Sequence, residues 1–300
     1  MYDLIIVGGG PAGLTAMVYA IRKHLNALLV SRELGGKTNY HLALPDVNDY
    51  RVIRGVETVD RFKAELEYLD FARLLEGVKK ITRDEDFFTI HTESGNSLQS
   101  RAVIVASGAR PQHLNVPGED QFLGRGLAYS AMSYANLMID KTAIVVGNGE
   151  LALRSAAELS TVAAEVHLVG PGTDVLSSRL GAKVKSAANV FIYPDGRLVE
   201  VRGNKFAETA LVIFNQDTKE ITADCIFIEK QLIPNTDMVA DLVELDQQGR
   251  IIIDCGTRTS VPGLFAAGDV TSLYAEQVLI AVGEGAKAAL SAYDYLLPAL

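Results

Sequence analysis

Two strand-glycine-helix openings and a late Gly268-Asp269 signature predict an α/β chain of two Rossmann-like nucleotide-binding domains, the first of them discontinuous. The first opening runs from the apolar stretch Tyr2–Val7 into Gly8-Gly9-Gly10-Pro11-Ala12-Gly13, and the second from Thr142–Val146 into Gly147-Asn148-Gly149-Glu150-Leu151-Ala152. Because the third signature lies near the C-terminal end, the chain must return to its first domain after building the second.

Tyr2–Val7 is apolar enough for a central parallel strand. Gly8, Gly10 and Gly13 keep the GxGxxG spacing, Pro11 stands where a helix tolerates a missing N–H, and the helix is expected to run to about residue 24. Ala27–Val30 reads as the next strand. Phe62, Leu66 and Leu69 at helical spacing predict a helix over 58–72, alternation over 81–99 predicts a short antiparallel meander, and 101–106 a strand. Residues 114–126, carrying Pro117, Gly118, Gly124 and Gly126, form a connector. In the second domain a helix extends to about residue 161, Glu165–Val169 is a strand, and 197–227 alternates again, most clearly at 211–214 and 224–228. Residues 233–236 lead back, and 251–300 complete the first domain with a strand at 264–267 and a helix starting near Ala275 or Glu276. The expected boundaries are 1–112 with 235–300 for the first domain and 113–234 for the central one.

Three hundred residues, 48% hydrophobic and 22% charged, suffice for two such domains. A net charge of -9 with no Lys/Arg cluster argues against a nucleic-acid partner. The apolar run after Met1 stops at glycines, too short for a secretory signal, and no stretch approaches the roughly 18 apolar residues of a membrane helix, so a cytoplasmic chain without an integral membrane segment is expected. Cys225 and Cys255 lack metal-ligand spacing, and no metal is expected. Both lie in β-like apolar runs and are expected to be buried, inert thiols; a disulfide between them stays open.

A dinucleotide pyrophosphate needs backbone amides at a helix N-terminus with no Cβ in its path, which Gly8, Gly10 and Gly13 satisfy, with Pro11 and Ala12 in the first turn. Asp269 can accept hydrogen bonds from a ribityl chain, while the helix entered through Gln277 and Val278 favours electron density at the reduced flavin's N1–C2=O edge. These signatures together predict a non-covalently held FAD.

The stretches 8–13 and 106–109, Val116-Pro117-Gly118-Glu119, Gly124-Arg125-Gly126, Pro234-Asn235-Thr236 and 259–269 resemble the low-molecular-weight thioredoxin reductases over nearly the whole chain. The resemblance implies an FAD domain made from the two chain ends, a central nucleotide domain and a homodimer. It adds Gly36, Lys37, Thr38, Asn48, Ala106, Ser107 and Gly108 to the cofactor set, although Gly35-Gly36-Lys37-Thr38 matches the family's Gly-Gly-Gln-Leu-Thr only in part.

Departures from that pattern matter as much. Where the family carries Cys-Ala-Thr-Cys, this chain reads Ser130-Ala131-Met132-Ser133, and a hydroxyl pair forms no disulfide. Natural loss, with the hydroxyls capping the central domain's first helix, and an engineered exchange both stay open. After the strand ending at Val169, the family's Arg cluster for a 2'-phosphate is replaced by Gly170-Pro171-Gly172, and Gln231 stands at a family glycine, so NADPH is not expected. Gly147, Gly149 and Glu150 nevertheless retain a loop able to hold a pyrophosphate. It is either a relic of packing or the seat of a second FAD, the pattern to which the diflavin-linked disulfide oxidoreductases are similar. The family's Arg-Gln-Ala reads Glu276-Gln277-Val278. The functional expectation is an FAD-dependent disulfide oxidoreductase with its redox cysteines replaced, partnered by a protein electron donor or a dithiol/disulfide protein. The alternatives are a flavoprotein electron carrier without a disulfide and a catalytically silent flavin-binding protein.

Overall fold

The structure, a computed structural model, describes residues 1–45, 47, 55–272 and 276–300. The first arm of the chain forms β1 (Tyr2–Val7), α1 (Pro11–Arg22), β2 (Ala27–Val30), α2 (Gly55–Tyr68), β3 (Arg73–Leu74), β4 (Val78–Arg83), β5 (Phe88–Thr92), β6 (Ser97–Val105) and β7 (Ala109–Arg110). Its apolar composition puts β1 at the centre, parallel to β2 on one side and β6 on the other, with Leu4 facing Ala27 and Ala102. Both faces of β1 are covered. Leu4 and Ile6 pack with Leu14 and Met17 of α1, while Ile5 and Val7 join Ile90 and Val103 on the other side. The amino-terminal half of β6 pairs antiparallel with β5, which pairs with β4, so this one long strand joins a parallel layer to the meander.

The second unit continues with α3 (Glu119–Phe122), β8 (Leu127–Ala128), β9 (Thr142–Val146), α4 (Glu150–Leu159), β10 (Glu165–Val169), α5 (Thr173–Leu176), α6 (Arg179–Ser186), β11 (Val190–Tyr193), β12 (Arg197–Gly203), β13 (Ala207–Phe214), β14 (Asp217–Thr222) and β15 (Cys225–Ile228). Its parallel sheet runs β11-β10-β9-β15-β8. Leu153, Ala156 and Ala157 of α4 pack with Val145 and Phe227 on one face, and Ala210 and Val212 of the antiparallel β12-β13-β14 layer pack with Ile144 and Ile226 on the other.

The returning arm makes β16 (Ile233–Pro234), β17 (Leu264–Ala266) and α7 (Val278–Leu296). β17 extends the first sheet parallel to β6, and β16 pairs antiparallel with β7. Asn235, next to that pairing, uses every polar group it has. Its N–H donates to the Gly108 carbonyl at 2.9 Å, its carbonyl accepts from Ser107 Oγ at 2.7 Å, its Nδ2 donates to the Ser107 carbonyl at 2.9 Å, and its Oδ1 accepts from Arg110 at 2.8 Å. Small residues let α7 approach α1 closely: a Cβ on Gly285 would lie 2.1 Å from the Ala12 carbonyl oxygen.

The described residues fall into two compact units, Met1–Asn39, Val52–Arg110 and Ile233–Leu300 in one, Tyr40–Arg51 and Pro111–Leu232 in the other. Residues 40–45 therefore leave the first domain, contrary to expectation, because Ala43 N–H donates to the Gly124 carbonyl at 2.8 Å and Leu42 and Leu44 enter the core around Met138 and Phe227. The helix expected over 58–72 ends at Tyr68. No α-helix begins at Ser130: the serines stand on a turn, followed by a 3-10 helix (Ala135–Met138) with Tyr134 as its N-cap, so neither hydroxyl caps a helix. Both cysteines are free. Cys225 is buried, and burial pushes its thiol well above the usual range. Cys255 is exposed, since the run 251–255 is no strand and only Ile251 makes bridges. Among the described residues no helix is long and apolar enough to cross a membrane, and no cluster of three His, Cys, Asp or Glu could hold a metal.

Replacing Asn235 with Ala strips partners from Ser107 and Arg110 and should destabilise the protein by about 1–3 kcal/mol. Urea denaturation of the two proteins measures this; a difference below about 0.5 kcal/mol would show that backbone pairing alone holds the return.

Candidate functional site

At Gly8 the backbones of β1, α1 and β6 converge with no side chain between them. A Cβ on Gly8, whose φ is +115°, would lie 2.2 Å from the Ala106 carbonyl oxygen, and one on Gly13 would lie 1.8 Å from the Gly8 carbonyl oxygen. Both glycines are therefore required by contacts within the protein. Gly10 differs. A Cβ there would meet nothing within 4 Å, and Gly10 is the N-cap of α1 without any side-chain cap hydrogen bond. With Pro11 at the start and buried Ala12 behind it, the first turn of α1 presents amides to open space, which fits an anionic pyrophosphate.

The 3-10 turn Gly36–Asn39 stands beside this N-terminus, since a Cβ on Gly36 would come within 3.2 Å of the Gly10 Cα. Thr38 Oγ1 donates to the Gly35 carbonyl at 2.7 Å, so its hydroxyl fastens the turn. Lys37 Nζ lies 2.7 Å from Asp269 Oδ2. Asp269 follows Gly268, whose N–H donates to Oε2 of the buried Glu284 at 3.1 Å. Burial holds the Glu284 carboxyl above the usual carboxylate range despite that bond. α7 opens at Val278 with Gln277 as its N-cap and no side-chain cap, a second helix N-terminus in the same unit. Ala106, Ser107 and Gly108 leave β6 under the control of Asn235, so the Ser107 hydroxyl orients this segment.

The second unit repeats the first device. A Cβ on Gly147 would lie 2.2 Å from the Glu229 carbonyl oxygen, whereas one on Gly149, the N-cap of α4, would meet nothing within 4 Å, and α4 too lacks a side-chain cap. Glu150, in the first turn, is exposed and 3.5 Å from Arg154. After β10, Gly170-Pro171-Gly172 brings no guanidinium, and Gly172 N–H donates to the Asn148 carbonyl at 3.4 Å.

Ser130 Oγ and Ser133 Oγ face each other at 3.0 Å, and Ser133 N–H donates to Ser130 Oγ at 3.4 Å. The turn is held from beneath by the buried Glu229, whose Oε1 accepts from Ala131 N–H at 2.6 Å and Ser155 Oγ at 2.9 Å. Next to Ser130, Tyr129 donates to Glu119 at 2.9 Å and accepts from His113 Nδ1 at 2.9 Å; burial first, and then the Glu119 carboxylate, raises its phenol well above the usual range. Tyr129 is thereby kept protonated.

Gly8, Gly10, Pro11, Ala12, Gly13, Gly36, Lys37, Thr38, Ala106, Ser107, Gly108, Gly268, Asp269, Gln277 and Val278 all lie in the first unit, and Gly147, Gly149, Glu150, Ser130 and Ser133 in the second. Asn48 lies outside the described residues. Sequence reasoning missed Glu284 and Glu229, although an acid between two glycines in an alanine-rich helix, and another ending an apolar strand, were visible signals.

A profile of the family described as pyridine nucleotide-disulphide oxidoreductase matches residues 2–285. A component of the alkyl hydroperoxide reductase of Pseudomonas putida is 34% identical over 303 residues, covering 99% of this chain and 58% of that protein. The chain thus spans a little over half the length of the curated relatives it matches. Among solved structures, thioredoxin reductase from Streptococcus pyogenes MGAS5005 has a TM-score of 0.88 at 32% identity over 99% of both chains. Ferredoxin-flavin thioredoxin reductase from Clostridium acetobutylicum has a TM-score of 0.50 at 28% identity, covering 99% of this chain and 98% of that one.

The two kinds of glycine separate by substitution. Gly13→Ala should lower stability by at least about 1–3 kcal/mol through overpacking. Gly10→Ala should cost less than about 1 kcal/mol in thermal stability while sharply weakening flavin retention; equal effects on both readouts would refute the assignment.

Proposed function

The chain belongs to the pyridine nucleotide-disulphide oxidoreductase family and has the thioredoxin reductase fold, and from that premise we propose that it is an FAD-dependent oxidoreductase whose dithiol relay is interrupted at Ser130 and Ser133. The observation that carries the reading is the pair of γ-oxygens 3.0 Å apart. A turn that brings two side chains within about 1 Å of disulfide bonding distance, and fills both with hydroxyls, is a redox turn without its sulfurs. Serine neither forms a disulfide nor ionises at neutral pH without a strong base, so two-electron exchange has no path through this turn.

FAD is held in the first unit, its pyrophosphate at Gly10 and the first turn of α1, and Asp269 accepts from its ribityl chain. When bound it supplies the two-electron chemistry. NADPH is not the reductant. The turn after β10 offers a 2'-phosphate no cation, and Gly172 closes onto Asn148. A protein donor supplies the electrons instead, a reading supported by the similarity to ferredoxin-flavin thioredoxin reductase. The open space at Gly149 and the uncapped start of α4 support a second FAD in the central unit. The working form is a homodimer, for which exposed Leu279, Ile280 and Leu290 along α7 supply an apolar face.

Acid release from purified protein should yield non-covalent FAD, two per chain if the central loop is filled and one if it is not; a colourless protein that takes up no FAD overturns the whole reading. Asp269→Ala should weaken retention by about 1–3 kcal/mol. Anaerobic mixing with millimolar NADPH should leave the flavin oxidised, and bleaching faster than about 1 per second would contradict the missing phosphate contacts, each worth roughly 1.5–3 kcal/mol. The double variant Ser130→Cys, Ser133→Cys forms a disulfide that two electrons and two protons convert to two thiols. It should therefore take up two more electrons per chain in dithionite titration; no added uptake would favour an electron carrier that never used a disulfide.

A further inference from the structure

The approach to α7 gathers acidic side chains in the unit proposed to hold the flavin. Asp269 lies in the connection leading to α7, Glu276 immediately precedes its N-cap Gln277, and buried Glu284 accepts from Gly268 N–H. Glu276 is exposed at the surface, yet desolvation by its surroundings raises its carboxyl above the ordinary range, with Asp269 adding to the rise and Lys37 and Arg250 opposing it. Of the cations in reach, Arg250 is committed to Asp246 at 2.8 Å and Lys287 sits on the outer side of α7. Among the described residues Lys37 is the cation fastened to a carboxylate of this group, 2.7 Å from Asp269 Oδ2, with side-chain exposures of 34% and 16%. A pair this shielded from solvent keeps more of its Coulomb energy than one on open surface. It also joins two distant pieces of chain: Lys37 belongs to the turn packed on Gly10, and Asp269 to the connection between β17 and α7.

We infer that Lys37 is the counter-charge of the flavin site, a positioning residue for Asp269 and the cation that sets the reduction potential of the bound flavin. This rests on the FAD reading above. Reduction adds electron density at the pyrimidine edge of the ring, so a fixed cation close by favours the reduced cofactor and nearby carboxylates disfavour it. Without Lys37, Asp269 loses its ion-pair partner and Glu276 keeps only the weaker opposition of Arg250 among the described residues.

Potentiometric titration of the FAD-loaded protein against an indicator dye tests this with Lys37→Met, Lys37→Arg and Glu276→Gln. Lys37→Met should make reduction about tenfold less favourable, a fall of about 30 mV for a two-electron couple. Lys37→Arg should stay at the wild-type value, and Glu276→Gln should rise above it. A Lys37→Met protein that holds FAD at the wild-type potential overturns the inference while leaving the FAD reading intact, and so does weakened retention with an unshifted potential in the loaded fraction, which would make Lys37 a structural anchor only. If Lys37→Met holds no flavin at all, Lys37→Gln is titrated in its place: a fall supports the inference and no fall overturns it. Wild-type protein that takes up no FAD overturns the functional reading and this inference together.

Discussion

The contact between backbone atoms at Gly8, Gly13 and Ala106 is the constraint on which the first unit depends. Because no Cβ fits at Gly8 or Gly13, α1 can start directly above the end of β1, and β6 can lie against the same loop. That fixes where the first-turn amides of α1 point. It also fixes α7, which reaches α1 through Gly285 against Ala12 and so brings its own uncapped N-terminus into the same unit. A bulkier residue at either loop glycine would push these elements apart together, so the open space at Gly10 and the packing at Gly13 are two results of one close approach.

The central unit uses the same device with a different supporting residue. Where Ala106 presses on Gly8, Glu229 presses on Gly147 through its carbonyl oxygen. The carboxylate of that same residue holds Ala131 and Ser155. The Gly147 loop and the serine turn are therefore supported by one amino acid. Removing the Glu229 carboxylate would leave a buried amide and a buried hydroxyl without this acceptor, a cost of about 1–3 kcal/mol for each such group.

Much of the fold was legible because its signals are local. The apolar runs that end β1 (Leu4 to Val7) and β9 (Ala143 to Val146) and the glycines after them state strand, turn and helix within a dozen residues, and the alternation of β13 states a half-covered strand. What stayed hidden depends on partners far along the chain. β3, β7, β8 and β16 are two residues each and exist only because a neighbour supplies the hydrogen bonds. Ile251-Ile252-Ile253 reads as a strand, yet Ile252 is 42% exposed and leads to an exposed Cys255, since apolarity without a pairing edge makes no strand. The CxxC-like spacing of Ser130 and Ser133 suggested a helix start, but the Glu229 bond to Ala131 and the turn closing at Tyr134 take the backbone elsewhere. The ion pair of Lys37 and Asp269 joins opposite ends of the sequence, which no local pattern could announce.

The antiparallel pairing of β7 with β16 has a consequence for how the chain reaches this state. Closing a loop of roughly 120 residues costs about 4 kcal/mol in chain entropy if the intervening segment is unfolded. Here most of that segment folds, together with residues 40–45, into one compact unit, while β7 and β16 on either side of it pair within the other. Once β7 and β16 are paired, Ala109 and Pro234 are neighbours, and β17 and α7 join the first unit with no further long loop to close. What Asn235 fastens is therefore the single point at which the chain, after a long excursion, is returned to its first unit.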